Sequence, residues 1–147
     1  MPDLCRPTQE SRVTNTASDG LALVGRILAA VIFIVGGWTK LMAAAGTKAY
    51  FTRIGLPLPE VAYWVAVVVE LAGGLLLLAG LQTRIVGLGL AVFCVVTAAI
   101  AHANFADAGQ QIQFTKNLAM AGGLLAFAAF GGGGLSLDRV LGRGQVR

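Results

Sequence analysis

Four long apolar runs divide this chain, at about residues 20–45, 59–81, 83–103 and 115–134. Each holds roughly 20 or more residues, the length an α-helix needs to cross a hydrocarbon core about 30 Å thick. Lipid offers no partner to an unpaired backbone group, so helices rather than open sheets are expected. Period-2 alternation is absent, which argues against a transmembrane barrel. The pattern predicts an all-α, integral membrane four-helix bundle.

The polar punctuation fits that reading. Gly55-Leu56-Pro57-Leu58-Pro59 reads as a turn and a helix start, because proline is tolerated in a first helical turn. The connection at Gly80-Leu81-Gln82-Thr83 is very short, so the second and third helices should be antiparallel neighbours. Residues 104–113 read as a polar loop, and the glycines at 131–134 should end the fourth helix. Ser136 and Asp138 can cap a short final turn. Residues 1–19 carry Asp3, Arg6, Glu10, Arg12 and Asp19 without periodicity, and are expected to form a flexible polar tail. Their charge is mixed in sign, unlike a secretory signal. Residues 139–147 form a basic tail.

Composition sharpens the class. Hydrophobic residues make up 56% of the 147 and charged residues only 12%, too little charge to coat a soluble core. Disorder is excluded by that hydrophobicity. The net charge is +4, but the 11 basic residues form no run, so a nucleic-acid partner is not expected. Cys5 and Cys94 form no motif, and one His with isolated Cys and Glu residues lacks metal-ligand spacing. An even number of helices places both termini on one side. That side carries Arg6, Arg12, Arg26, Arg84, Arg139, Arg143 and Arg147; the other carries Lys40, Lys48, Arg53 and Lys116. The positive-inside rule then puts both termini in the cytoplasm. Trp38, Tyr50, Tyr63 and Trp64 are expected in an interfacial aromatic belt at the opposite side.

Ionisable residues at membrane depth are functional hypotheses by default. Glu70 lies near the middle of the second run, where a central acid costs on the order of 2.5–3.5 kcal/mol to insert. It must be protonated, paired with a cation, or each at different times. Arg26 and Lys40, 14 residues apart on roughly one face of the first helix, are its expected partners. Either can instead snorkel to an interface. Gly36 and Gly37 would permit close approach of a helix or a ligand one turn before Lys40. Cys94, Ala98 and His102 recur at i, i+4 and i+8, a small-residue stripe leading to His102. An antiparallel bundle would bring Lys40, His102, Lys116 and Asn117 to one end, with Glu70 below them. The expectation is a polar pocket with an apolar floor. Glu70 could equally fix helix packing alone, and His102 and Lys116 could be ordinary interface residues.

The order of these residues resembles the DoxX family of small membrane proteins. The resemblance covers about residues 20–138. It is carried by Gly25-Arg26-Ile27-Leu28, Gly36-Gly37-Trp38-Thr39-Lys40-Leu41, Gly55-Leu56-Pro57, Glu70-Leu71-Ala72-Gly73-Gly74-Leu75 and Gly80-Leu81-Gln82-Thr83-Arg84. His102, Lys116-Asn117 and Ser136-Leu137-Asp138 complete it. The resemblance implies a four-helix bundle in a bacterial inner membrane. Related DoxD-type proteins are linked to a thiosulfate:quinone oxidoreductase, and some DoxX-like proteins to a membrane-associated redox complex.

Two functional classes follow. In the first, the chain is a quinone-linked redox subunit. Glu70 and His102 would handle protons, while Arg26, Lys40, Lys116 and Asn117 would hold a quinone head group. No redox cofactor site is visible in the chain, so electrons would come from a soluble partner or a small reductant such as a thiol or thiosulfate. In the second, the chain is a non-enzymatic anchor for a partner complex, with buried charges serving fold specificity. A transporter is a weaker third, since internal repeats are not evident. Lipid is a partner in every case, and a homo-oligomer is compatible with each.

Overall fold

The structure is a computed structural model that describes residues 9–142. Its helices are α1 (Gln9–Met42), α2 (Ala44–Arg53), α3 (Pro59–Ala79), α4 (Thr83–Ala101), α5 (Ala108–Phe130) and the single turn α6 (Leu137–Val140). No strand occurs among the described residues. Three helical stretches, Thr16–Met42, Pro59–Ala79 and Thr83–Ala101, are long and apolar enough to cross a membrane. The fourth long helix, α5, has 23 residues, but Gln110, Gln111, Gln113, Lys116 and Asn117 make its first half polar.

Local chemistry sets the helix ends. Helix α2 stops at Gly55, where the amide of Leu56 bonds to the Phe51 carbonyl and that of Gly55 to Thr52. The same paired closure ends α3 at Gly80, from Leu81 to Leu76 and from Gly80 to Leu77. Both are Schellman motifs, which need a left-handed residue; Gly55 and Gly80 have φ of 76° and 68°. Pro59 opens α3 with Glu60 in its first turn, favourable beside the positive end of the helix dipole. Asp107 caps α5 by accepting from the Gly109 amide at 2.8 Å.

Neighbouring long helices run antiparallel. On α3, Gly74 meets Phe33 and Ile34 of α1, and Gly73 meets Leu90 of α4. Gly87 of α4 lies against the backbone of Leu124 and Ala128 in α5. Gly25 against Phe127 brings α1 to α5. These glycines let backbones approach where a side chain would hold them apart. The shared core contains Ala30, Phe33, Leu77, Leu90, Ala91, Cys94, Ala121 and Leu124. Outside it, Leu28, Val61, Ile85 and Ile112 are more than half exposed. An apolar exterior round a small core suits a chain solvated by lipid.

Three sequence expectations change. Residues 9–19 are helical and extend α1 upstream of the expected start at 20, while residues 1–8 of the expected tail lie outside the described residues. Helix α5 starts at Ala108, not near 115, because Asp107 supplies a cap ahead of the polar half-helix. Of the four expected belt aromatics, Tyr63 is only 1% exposed and belongs to the interior, whereas Trp38 and Trp64 are half exposed or more.

Asp19, ten residues into α1, meets the segment after α5 at one end of the bundle. Asp19 accepts from the Gly134 amide at 2.6 Å. Arg26 donates through Nη2 to the Leu135 carbonyl. Asp138 accepts from the amides of Gln82 at 2.7 Å and Thr83 at 2.8 Å, capping α4 from 55 residues away. Ser136 caps α6 as expected, accepting from the Arg139 amide.

Candidate functional site

At the other end of the bundle, α1 and α3 close around one ion pair. Lys40 Nζ lies 2.9 Å from Glu70 Oε1 and 2.7 Å from Oε2. Glu70 is 8% exposed. Gly36 and Gly37 make that approach possible: a Cβ at Gly36 would sit 3.2 Å from Glu70 Oε2, and one at Gly37 would sit 2.8 Å from Leu71 Cγ. The buried Tyr63 hydroxyl donates to the Lys40 carbonyl at 3.4 Å, fixing the last turn of α1.

The pair lines a cavity of about 610 Å³, within the usual range for small-molecule sites. His102, Lys116 and Asn117 line it too, so five of the six residues singled out from the sequence converge. Phe33, Ala66, Phe93 and Met120 give it apolar walls. Buried Cys94 also contributes to the lining, with Thr97, Ala101 and His102, whereas Ala98 of the expected stripe packs in the core.

Arg26 is the exception. It stands about 21 Å along α1 from Lys40. Its side chain is 1% exposed, bound to Leu135 and opposite Asp138. Arg26 and Lys40 lie on roughly one face of α1, but four turns of helix carry Arg26 to the opposite end. It therefore belongs to the seam that holds the C-terminal segment, and not to the cavity.

Sequence reasoning missed part of the lining. Thr47 and Tyr50 come from α2, and Gln113 from the polar half of α5. The Tyr50 hydroxyl donates to the Ala101 carbonyl at 2.9 Å, pinning α2 across the end of α4. Gln110 Oε1 lies 2.7 Å from His102 Nδ1. With that oxygen as acceptor, Nδ1 carries the hydrogen. A signal existed for the glutamines: Gln110, Gln113, Asn117, Met120, Ala121 and Leu124 follow helical spacing. None existed for Tyr50, whose role depends on a contact 51 residues away.

Chemically, Lys40 and Glu70 form a neutral unit offering both ammonium donors and a carboxylate acceptor. Among the described residues Lys116 has no such counter-charge, so the cavity mouth is net positive. The site can donate hydrogen bonds to ligand oxygens and exchange protons through Glu70 or His102, with apolar surface beside both.

The DoxX family profile matches residues 21–103, more than half of the chain. The chain belongs to the DoxX family. It is similar to the inner membrane protein YqjF of Escherichia coli, 41% identical over 122 residues, covering 81% of this chain and 90% of that protein. It is also similar to the inner membrane protein YphA of Escherichia coli, 36% identical over 124 residues, covering 81% and 89%. A shorter match, 45% identical over 65 residues, is to the Bacillus subtilis protein named "Putative oxidoreductase CatD"; it covers 44% of this chain and 47% of that one. No solved structure matches the chain. With its apolar spans and these relatives, this DoxX protein is a multi-pass inner-membrane protein.

Proposed function

We propose that this DoxX protein is a membrane redox subunit whose cavity holds a quinone head group. The observation that carries the reading is the convergence of Lys40, Glu70, His102, Lys116 and Asn117 on one apolar-walled cavity. A quinone needs donors for its oxygens, a proton source and an apolar path for its tail. Lys40, Lys116 and Asn117 supply donors, and Glu70 and His102 exchange protons. Phe33, Phe93 and Met120 provide apolar contact. The oxidoreductase name of the partial relative CatD points the same way. The electrons come from a small reductant. Two thiols joined as a disulfide release two electrons and two protons, which together convert quinone to quinol.

Purified protein in nanodiscs, titrated with a ubiquinone analogue, tests this. Saturable binding is expected, and Glu70→Gln should weaken it at least about tenfold, the scale of one lost charge-assisted contact. Absence of saturable binding by well-folded protein overturns the quinone reading and leaves a partner-anchoring role to be sought by crosslinking.

A further inference from the structure

A second cavity, of about 550 Å³, lies at the end of the bundle where Asp19 meets the segment after α5, remote from the ion pair. It is framed by Asp19 at the start of the first apolar span, by Arg84 in the first turn of α4, and by the 131–136 segment after α5. Phe130 and Arg139 stand at its margin.

Its charges are unequally committed. Asp19 already accepts from the Gly134 amide. Asp138 already accepts from Gln82 and Thr83 and faces Arg26. Arg84 and Arg139 line the same cavity, both exposed, and neither guanidinium has a hydrogen-bond or ion-pair partner among the described residues. Two forked cations thus line the cavity beside two carboxylates that each already accept from backbone amides. A guanidinium fork matches phosphate oxygens in pairs.

The surroundings choose among phosphate sources. Phe130, which lines the cavity, is 84% exposed, and Leu135, Leu137 and Val140, next in sequence to its lining residues Gly134, Ser136, Asp138 and Arg139, are exposed too. The Asp138 amide bonds to the Gly80 carbonyl, and Gln82 and Arg84 line the cavity, so it lies level with the end of the Pro59–Ala79 span and the start of the Thr83–Ala101 span, where headgroups sit. A soluble anion has no use for that apolar rim, whereas a lipid acyl chain does. We propose that this cavity binds the phosphate of an anionic phospholipid headgroup, held by Arg84 and Arg139 with its chain along Phe130. The site is independent of the quinone reading.

Full-length protein purified in detergent can be titrated with phosphatidylglycerol and phosphatidylcholine, with bound lipid counted by native mass spectrometry. A preference for phosphatidylglycerol is expected. The double variant Arg84→Gln/Arg139→Gln should reduce affinity for it by about 30-fold, from the usual contribution of two basic residues at an anionic surface. Arg53→Gln, exposed at the other end of the bundle, should change it little. Equal retention of the two lipids, or equal losses in the double variant and in Arg53→Gln, overturns the site. Displacement of the lipid by excess inorganic phosphate overturns its assignment to a headgroup.

Discussion

Replacing Lys40 by Met would leave the Glu70 carboxylate 8% exposed with no cation beside it. Removing one partner of a buried pair typically costs 3–5 kcal/mol, because the remaining charge stays desolvated. Here the Lys40 side chain is 28% exposed and the cavity admits water, which moves the expectation to the lower end, about 2–3 kcal/mol. For a chain of this length that is a fall in Tm of about 5–10 °C. Glu70→Met should cost less, about 1–2 kcal/mol, because the long lysine stem can turn its ammonium toward water while an isolated carboxylate near mid-helix cannot. The double variant Lys40→Met/Glu70→Met removes both charges and keeps similar volume, so it should lie within about 1 kcal/mol of the parent. Thermal melts and reversible unfolding in mixed micelles would close this cycle. A double variant destabilised by the sum of the singles would refute the reasoning, since coupled neighbours must depart from additivity. A neutral Lys40→Met would refute it differently, by showing that Glu70 is hydrated or takes up a proton. The folded double variant should also lose quinone binding, which separates the site's chemistry from its part in stability.

Two further substitutions probe the helix contacts. Gly87→Ala would place a methyl group 2.9 Å from the Leu124 carbonyl oxygen and 3.1 Å from the Ala128 amide, backbone atoms that cannot swing aside. It should cost about 1–3 kcal/mol in thermal melts, while Gly89→Ala, with nothing within 4 Å, should be neutral or slightly stabilising; equal effects would contradict the α4–α5 packing. Asp138→Ala removes the remote cap on α4 and the charge facing buried Arg26. Its loss should reach about 3 kcal/mol, beyond the typical ~1 kcal/mol of a surface cap, and a cap-sized loss measured by the same melts would show that Arg26 does not depend on Asp138.

Much of the site was legible because helical spacing converts sequence offsets into positions. The offset of four between Cys94, Ala98 and His102 sets one stripe, and the depth of Glu70 in its run demands a partner. Gly36 and Gly37 signal close approach in the sequence, and Glu70 and Leu71 fill that space. Offsets along one helix, however, fix only face and height. Arg26 and Lys40 share a face of α1, but only the antiparallel partner settles which height meets Glu70. Tyr63 has the composition of a belt residue, yet packing beneath the end of α1 buries it.

The sequence by itself determined the class: an all-α membrane protein with long apolar helices, their apolar exterior, the tight turns at Gly55 and Gly80, and the charges within the apolar runs. These are local properties, dictated by run length, proline and glycine placement and the cost of burying charge. Tertiary structure alone decided that Lys40 rather than Arg26 pairs with Glu70. It also laid α2 across α4 through Tyr50, and returned Asp138 to cap a helix 55 residues away. Those outcomes rest on contacts between segments far apart in the chain, which no periodicity within a single helix encodes.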